Sequence, residues 1–195
     1  MIKKMIVDPS SPNSIFDLRD ILSNELQIIM ESDRNIVILC IGTDRSTGDS
    51  LGPIVGDKLK FLMRSRIELY GNLQHPVHAK NIVETIDKIN LKYNNPFVIA
   101  IDASLGSIQN VGKIIIESKP LHPGSAMNKS LPQVGDLSIT GIVNICGAME
   151  FMVLQNTRLF TVIQLANTIS RGLYYSILKT VHSKNSNNAL INTEI

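Results

Sequence analysis

Two acidic residues stand where apolar runs meet loops. The stretch from Ile36 to Pro53 reads I-V-I-L-C-I-G-T-D-R-S-T-G-D-S-L-G-P. Strand-formers lead into a loop of small and acidic residues that carries Asp49, and Pro53 is placed to open a helix. A second apolar run, Phe97–Ile101, ends at Asp102. Strand–loop–helix junctions of open α/β folds bring loop side chains to the carboxyl edge of the sheet, where such folds keep their ligands. Asp49 and Asp102 delivered to one edge would make a catalytic or metal site. If the two lie close, one shared proton lets them activate water as an acid–base pair. Asp49 precedes a helix, whose macrodipole favours the anion and so suits a metal ligand or general base. Asp102 leaves an apolar strand, where desolvation and a like-charged neighbour would raise its pKa. The alternative is that both carboxylates only cap turns.

Other chemistries fit less well. A P-loop has four residues between its glycines, followed by Lys and Ser or Thr. Here five residues separate Gly42 from Gly48, and Asp49 stands where the lysine belongs. A carboxylate there repels phosphate, and no G-x-G-x-x-G is present. No Ser/His/Asp triad or H-E-x-x-H pattern is visible. His75 and His78 fall on a stretch that reads as a strand, so they face opposite sides and cannot share one ion. His122 opens a loop containing Pro123 and Gly124 and is a candidate third ligand or proton-transfer group; the alternative is a merely exposed loop histidine.

The elements that would position these groups alternate between strand and helix. Ser14–Glu31 carries a helical stripe through Ile15, Leu18, Leu22, Leu26 and Ile29. Asn35–Ile41 is continuous and β-branched, as central parallel strands are. A helix starting at Pro53 and running to Arg66 has a basic solvent face of Lys58, Lys60, Arg64 and Arg66. Val77–Lys80 reads as a short strand before a helix through Ile82, Val83, Ile86 and Ile89, which Asn94-Asn95-Pro96 ends. Strands follow at Phe97–Ile101, at Val111–Glu117 after a turn at Gln109-Asn110 that would make one strand antiparallel, and at Leu137–Ile145. Helices are expected over Ala148–Gln155 and Arg158–Val181. This alternation implies an α/β fold, a three-layer α/β/α sandwich around a mostly parallel twisted sheet.

The 195 residues fit a single domain, residues 1–195, with 1–10 and 183–195 as loose termini. Composition is ordinary and globular, with 44% hydrophobic and 18% charged residues. A formal charge of +2 without a basic block gives nucleic acid no footprint. Cys40 and Cys146 both sit in apolar runs and read as buried reduced thiols, which suits the cytoplasm. The N-terminus has no signal-peptide pattern, and no apolar run approaches the roughly 18 residues of a membrane span.

Four separated segments sharpen this reading. T-G-D-S-L-G-P (Thr47–Pro53), I-D-A-S-L-G (Ile101–Gly106), H-P-G-S (His122–Ser125) and T-R-L-F-T-V-I-Q-L-A (Thr157–Ala166) together resemble the YyaC-type sporulation proteins, over roughly Asn35 to Val181. That family is similar to the spore germination protease, which degrades small acid-soluble spore proteins, and more remotely to hydrogenase-maturation peptidases. The resemblance implies the α/β fold with a central twisted sheet that these relatives share. It also implies a sporulation-associated cytoplasmic peptidase with a protein or peptide substrate. The two aspartates proposed for catalysis in the germination protease fall on Asp49 and Asp102, and its H-P-G-S segment falls on His122 to Ser125. In the hydrogenase peptidases two acidic residues and a histidine bind the substrate's nickel, which matches Asp49, Asp102 and, less directly, His122. Such a set would suit zinc, nickel or manganese, but the germination protease argues for no metal. The expectation is therefore an empty site, with nickel or zinc as the possible ions. This chain is shorter than the germination protease and shows no counterpart of its long N-terminal region. Asp44-Arg45 follows the YyaC pattern rather than the protease pattern. The alternative function is a catalytically silent sporulation factor that binds a protein partner on the same scaffold.

Overall fold

The structure, a computed structural model, describes residues 2–32, 34–62, 66–124 and 131–191, with side chains described as far as Thr180. In chain order its strands are β1 (Met5–Val7), β2 (Ile36–Cys40), β3 (Ile67–Tyr70), β4 (Phe97–Gly106), β5 (Ile114–Glu117) and β6 (Leu137–Ile145). Its helices are α1 (Ser14–Glu31), α2 (Leu51–Leu59), α3 (Ile82–Lys92), α4 (Glu150–Gln155) and α5 (Leu159–Ile191).

The strands form one six-stranded sheet in the order β1-β5-β6-β4-β2-β3. β2, β3, β4 and β6 run parallel, whereas β5 is antiparallel to both β6 and β1. All five residues of β2 are buried, because helices and loops cover both faces of the sheet there. β2 pairs with β4 from Ile36↔Phe97 to Cys40↔Ile101, but β4 does not stop at the expected Ile101 and runs on beside β6 to Gly106. That register sets Asp102, still within β4, one residue past the last β2 pair, level with the exit of β2 into the Gly42 loop.

Alternation along the strands divides the core in two. Ile36, Ile38 and Cys40 of β2, with Ile99 and Ile101 of β4, face α1, α2 and α5. Leu18, Leu22 and Leu26 supply the α1 stripe, and Val162, Leu165, Ile169 and Leu173 that of α5. Each such fully buried leucine or isoleucine contributes roughly 1.5–3 kcal/mol of transfer free energy. Gly172 lets α1 and α5 close up, since a Cβ there would lie 2.5 Å from the Leu18 side chain. On the opposite face Val37, Leu39, Ile41 and Ala100 pack under Ile82 and Ile89 of α3, joined by Val77 and Val134 from loops. This second layer is one helix plus two loop segments.

Several expectations change. Residues before Asp8 are not a loose arm, because Met5–Val7 pairs with β5 and buries Val7 at the sheet edge. The edge strand β3 falls where no strand was expected, and Val77–Lys80 contributes only a single bridge, Ile41↔Val77. The stretch at Gln109-Asn110 is a 3-10 turn, and β6 inserts between β4 and β5, so no tight hairpin forms there. The α2 segment begins at Leu51, preceded by a 3-10 turn over Gly48–Ser50; Pro53 is its third residue, still within the turn whose amides have no helical acceptor. The helical backbone of α5 continues past Val181 to Ile191. Cys40 is buried, but Cys146 is exposed just beyond β6. Arg64 and Ser125 lie outside the described residues. No helix among the described residues is long and apolar enough to cross a membrane.

Candidate active site

Glycines hold the first acidic loop in shape. Gly42 has φ +137°, and a Cβ there would sit 2.0 Å from the Asp49 carbonyl oxygen. The Thr43 N–H donates to that same carbonyl at 3.1 Å, and the Gly42 N–H donates to the Val77 carbonyl at 2.8 Å. Gly52 comes as close to Ile41, where a Cβ would lie 2.0 Å from its carbonyl oxygen. The start of α2 is thus seated on the end of β2, and the loop between them doubles back. Behind the Asp49 turn, Gly48 packs against Leu154 and Thr157, so α4 and the start of α5 back the turn. Ser50 Oγ closes it by donating to the Thr47 carbonyl at 2.6 Å.

Asp102 lies within β4, opposite Thr140 of β6. It shares strand parity with Ala100 and so belongs to the α3 face of the sheet. Its carboxylate is buried and accepts the Ala103 N–H at 2.8 Å. Asp49 is half-buried.

The charge of Asp49 acts on Asp102. Burial pushes the Asp102 carboxyl well above the usual carboxylate range, and the charge of Asp49 pushes it further, against the Ala103 amide. Burial also raises Asp49, but the Thr43 amide and the charge of His78 pull it back. The helix start was expected to favour the Asp49 anion; desolvation outweighs it, because the turn is enclosed by β2, α4 and α5. Two like charges in a shared, partly desolvated space disfavour double ionisation. The pair is therefore suited to holding a single proton.

The histidines fall out differently from the sequence expectation. His78 does not lie on a strand; it ends the segment that bridges to β2 and precedes α3. It is half-buried, and its charge reaches Asp49. His75 is exposed. His122 is exposed next to Leu121, which pairs with Val134 over the α3 face. Among the described residues no three His, Cys, Asp or Glu side chains are gathered closely enough to hold a metal ion. The ligand set Asp49, Asp102 and His122 is therefore not assembled in this structure. His78 had a signal in the sequence: Asn81, three residues on, is a helix-capping type that marks a turn rather than a strand. Its Oδ1 accepts the His78 N–H at 2.8 Å.

The chain is 48% identical over 170 residues to the uncharacterized protein YyaC of Bacillus subtilis (strain 168), a match covering 87% of this chain and 82% of that protein. Among solved structures it is similar to the [NiFe] hydrogenase maturation protease HycI from Thermococcus kodakarensis KOD1, at 19% identity and a TM-score of 0.49, over 80% of this chain and 99% of that one. A likeness at that level carries no argument about activity. The family model described as "Protein of unknown function (DUF1256)" matches residues 6–172, and the chain belongs to that family.

Proposed function

We propose that this protein is a peptidase that hydrolyses a protein or peptide substrate with the Asp49–Asp102 pair, in the cytoplasm of a sporulating cell or spore. The observation that carries the reading is the pair itself. Of two acidic residues near the carboxyl edge of parallel strands, Asp102 feels the charge of Asp49, and burial raises Asp102 well above the usual range while the Thr43 amide and the charge of His78 check the rise at Asp49. Asp49, with an amide and an imidazole near it, is the anionic member and takes a proton from water. The water oxygen bonds to the scissile carbonyl carbon, and Asp102 delivers its proton to the amide nitrogen as the C–N bond breaks. The products are a carboxylic acid and an amine. The proton held by Asp49 returns to Asp102 through solvent, which restores the pair. The germination-protease motifs on Thr47–Pro53 and Ile101–Gly106 point to the same two residues and to small acid-soluble spore proteins as the substrate class to try first.

A second reading, a catalytically silent sporulation factor that binds a protein partner, draws on the surface beside the site. Ile145, Met149, Phe151, Met152, Leu159 and Phe160 are all exposed around α4, which backs the Asp49 turn. Exposed apolar groups so concentrated are typical of protein-binding faces.

Incubating the protein with a panel of small acid-soluble spore proteins, alongside Asp49→Asn and Asp102→Asn, tests the two. Cleavage abolished by either substitution is the expected result. Cleavage that survives both sinks the aspartate mechanism, and stable complexes without cleavage favour the binding factor.

A further inference from the structure

We propose that the edge of β4 beyond the end of β2 is a docking slot for an extended peptide, which adds there as a short parallel strand with apolar side chains at alternate positions. The inference rests on the peptidase reading, to which it adds how a substrate chain is laid beside Asp102 and what side chains it carries.

The slot arises from unequal strand lengths. β4 pairs with β2 only as far as Cys40↔Ile101, but with β6 on to Gly106↔Ile145. β2 then leaves the ladder at Gly42, whose N–H turns to the Val77 carbonyl at 2.8 Å. Past Ile101, β4 is therefore paired on one side alone among the described residues, and Ala103, Ser104, Leu105 and Gly106 are each partly exposed in the interior of the sheet order.

The free backbone groups suit a strand. The Ile101 carbonyl faces β2, accepting the Ile41 N–H at 2.7 Å, and the Gly106 carbonyl faces β6, accepting the Cys146 N–H at 2.8 Å. The irregularity between the two strands leaves its extra residue, Val143, on β6, so β4 keeps its alternation. Ala103 and Leu105 thus direct their backbone groups into the slot. The Ala103 N–H is taken by Asp102 Oδ1 at 2.8 Å, which brings that carboxylate to the slot. The Leu105 carbonyl accepts Ser104 Oγ at 3.1 Å. Among the described residues nothing bonds the Ala103 carbonyl or the Leu105 N–H. A carbonyl and an N–H two residues apart are the pair that one residue of a parallel neighbour bonds through its own N–H and carbonyl. A helix already uses its backbone groups internally, whereas an extended peptide has them to offer.

The two faces of the slot fix the side chains. Ala103 and Leu105 pack against the core that α1, α2 and α5 cover, while Asp102 and Ser104 belong to the opposite face. Peptide residues level with Ala103 and Leu105 meet apolar groups, and those level with Asp102 and Ser104 meet polar ones. α4 extends the apolar side. Asn144, level with Leu105, holds it by donating Nδ2 to the Val153 carbonyl at 3.3 Å, and Met149, Phe151 and Met152 there are exposed.

The test adds a capped synthetic peptide with valine at alternate positions and polar residues between them to full-length Asp49→Asn, so that binding is read apart from cleavage. With peptide present the Leu105 amide should exchange its hydrogen roughly tenfold more slowly, while the outer-edge amides of β1 and β3 keep their rates. Leu105→Pro removes the slot's donor without touching the β6 ladder, and should weaken binding roughly tenfold, as loss of one backbone hydrogen bond does. Should Leu105→Pro fail to fold, the peptide carries the test: methylating its backbone nitrogens one at a time should weaken binding at every second position. A loss without that alternation overturns the proposal. So does a Leu105 amide unchanged by the peptide, protection at β1 or β3 instead, or equal binding of a peptide interrupted by proline. Protection of Leu105 that grows with protein concentration alone would assign the edge to a second copy and overturn it too. Leu105 protection with no cleavage by wild type counts against the peptidase reading alone, and cleavage without Leu105 protection counts against the docking slot alone.

Discussion

Replacing Gly42 with alanine puts the geometry of the acidic loop to a quantitative test. Two costs add at this position. The backbone sits at φ +137°, where a side chain is strained by roughly 1–3 kcal/mol. The new Cβ would also lie 2.0 Å from the Asp49 carbonyl oxygen and 3.1 Å from Pro53 Cδ. A backbone oxygen cannot swing away as a flexible side chain can, and overpacking of this kind costs roughly 1–3 kcal/mol more. The sum is a loss of about 2–6 kcal/mol. Two other glycines separate the contributions. Gly112 has φ +83° with open space around it, so Gly112→Ala should show the strain alone. Gly147 has open space and no positive φ, and Gly147→Ala should stay within about 0.5 kcal/mol of wild type. Urea unfolding with a common m value gives all three differences from the shifts in midpoint. A Gly42→Ala loss no larger than that of Gly112→Ala would mean that the Asp49 turn yields to a methyl group. The loop would then not be pinned, and the case for a preorganised Asp49 would fall with it.

Asp102 offers a test in pH. Its folded-state pKa lies above that of the unfolded chain, so the folded protein keeps a proton that the unfolded chain gives up. The resulting stability is complete below an unfolded value of about 3.9 and is lost as pH rises through the folded value. Asp102→Asn removes that loss, so its urea midpoint should gain on wild type steadily from about pH 4 upward; a gain by wild type over the same range refutes the buried assignment. Calorimetric titration of nickel and zinc should show weak binding, the same in His122→Ala as in wild type. Tight binding lost on His122→Ala would show that His122 closes onto the aspartates after all.

Much of the framework was legible because periodicity is a local property. The α1 stripe repeats every three or four residues and appears as a helix over Ser14–Glu31, the same span that the sequence suggests. β6 likewise occupies Leu137–Ile145 as read. The β-branched runs ending near Gly42 and at Asp102 announced central parallel strands, because only a doubly covered sheet accepts such runs. Edge elements were harder to see. β1 has three residues, two of them exposed, and the Ile67–Tyr70 strand buries only Ile67. Neither carries enough apolar pattern to stand out from a loop, and pairing with a neighbour defines both.

Sequence alone determined the alternation of strands and helices, the two acidic residues that follow apolar runs and the loop of small residues that carries the first of them. Each is a matter of residue type and short-range spacing. Tertiary structure decided what those residues feel. The parallel register of β2 with β4 brings the Asp49 loop to the Asp102 segment of β4 across more than fifty residues of chain, and enclosure by α4 and α5 lets desolvation prevail over the helix start at Asp49. A single bridge from Ile41 to Val77 seats half-buried His78 beside the end of β2, while the motif-borne His122 is exposed. Charges interact through space and through the dielectric around them, and neither distance nor burial is written in the spacing of residues along the chain.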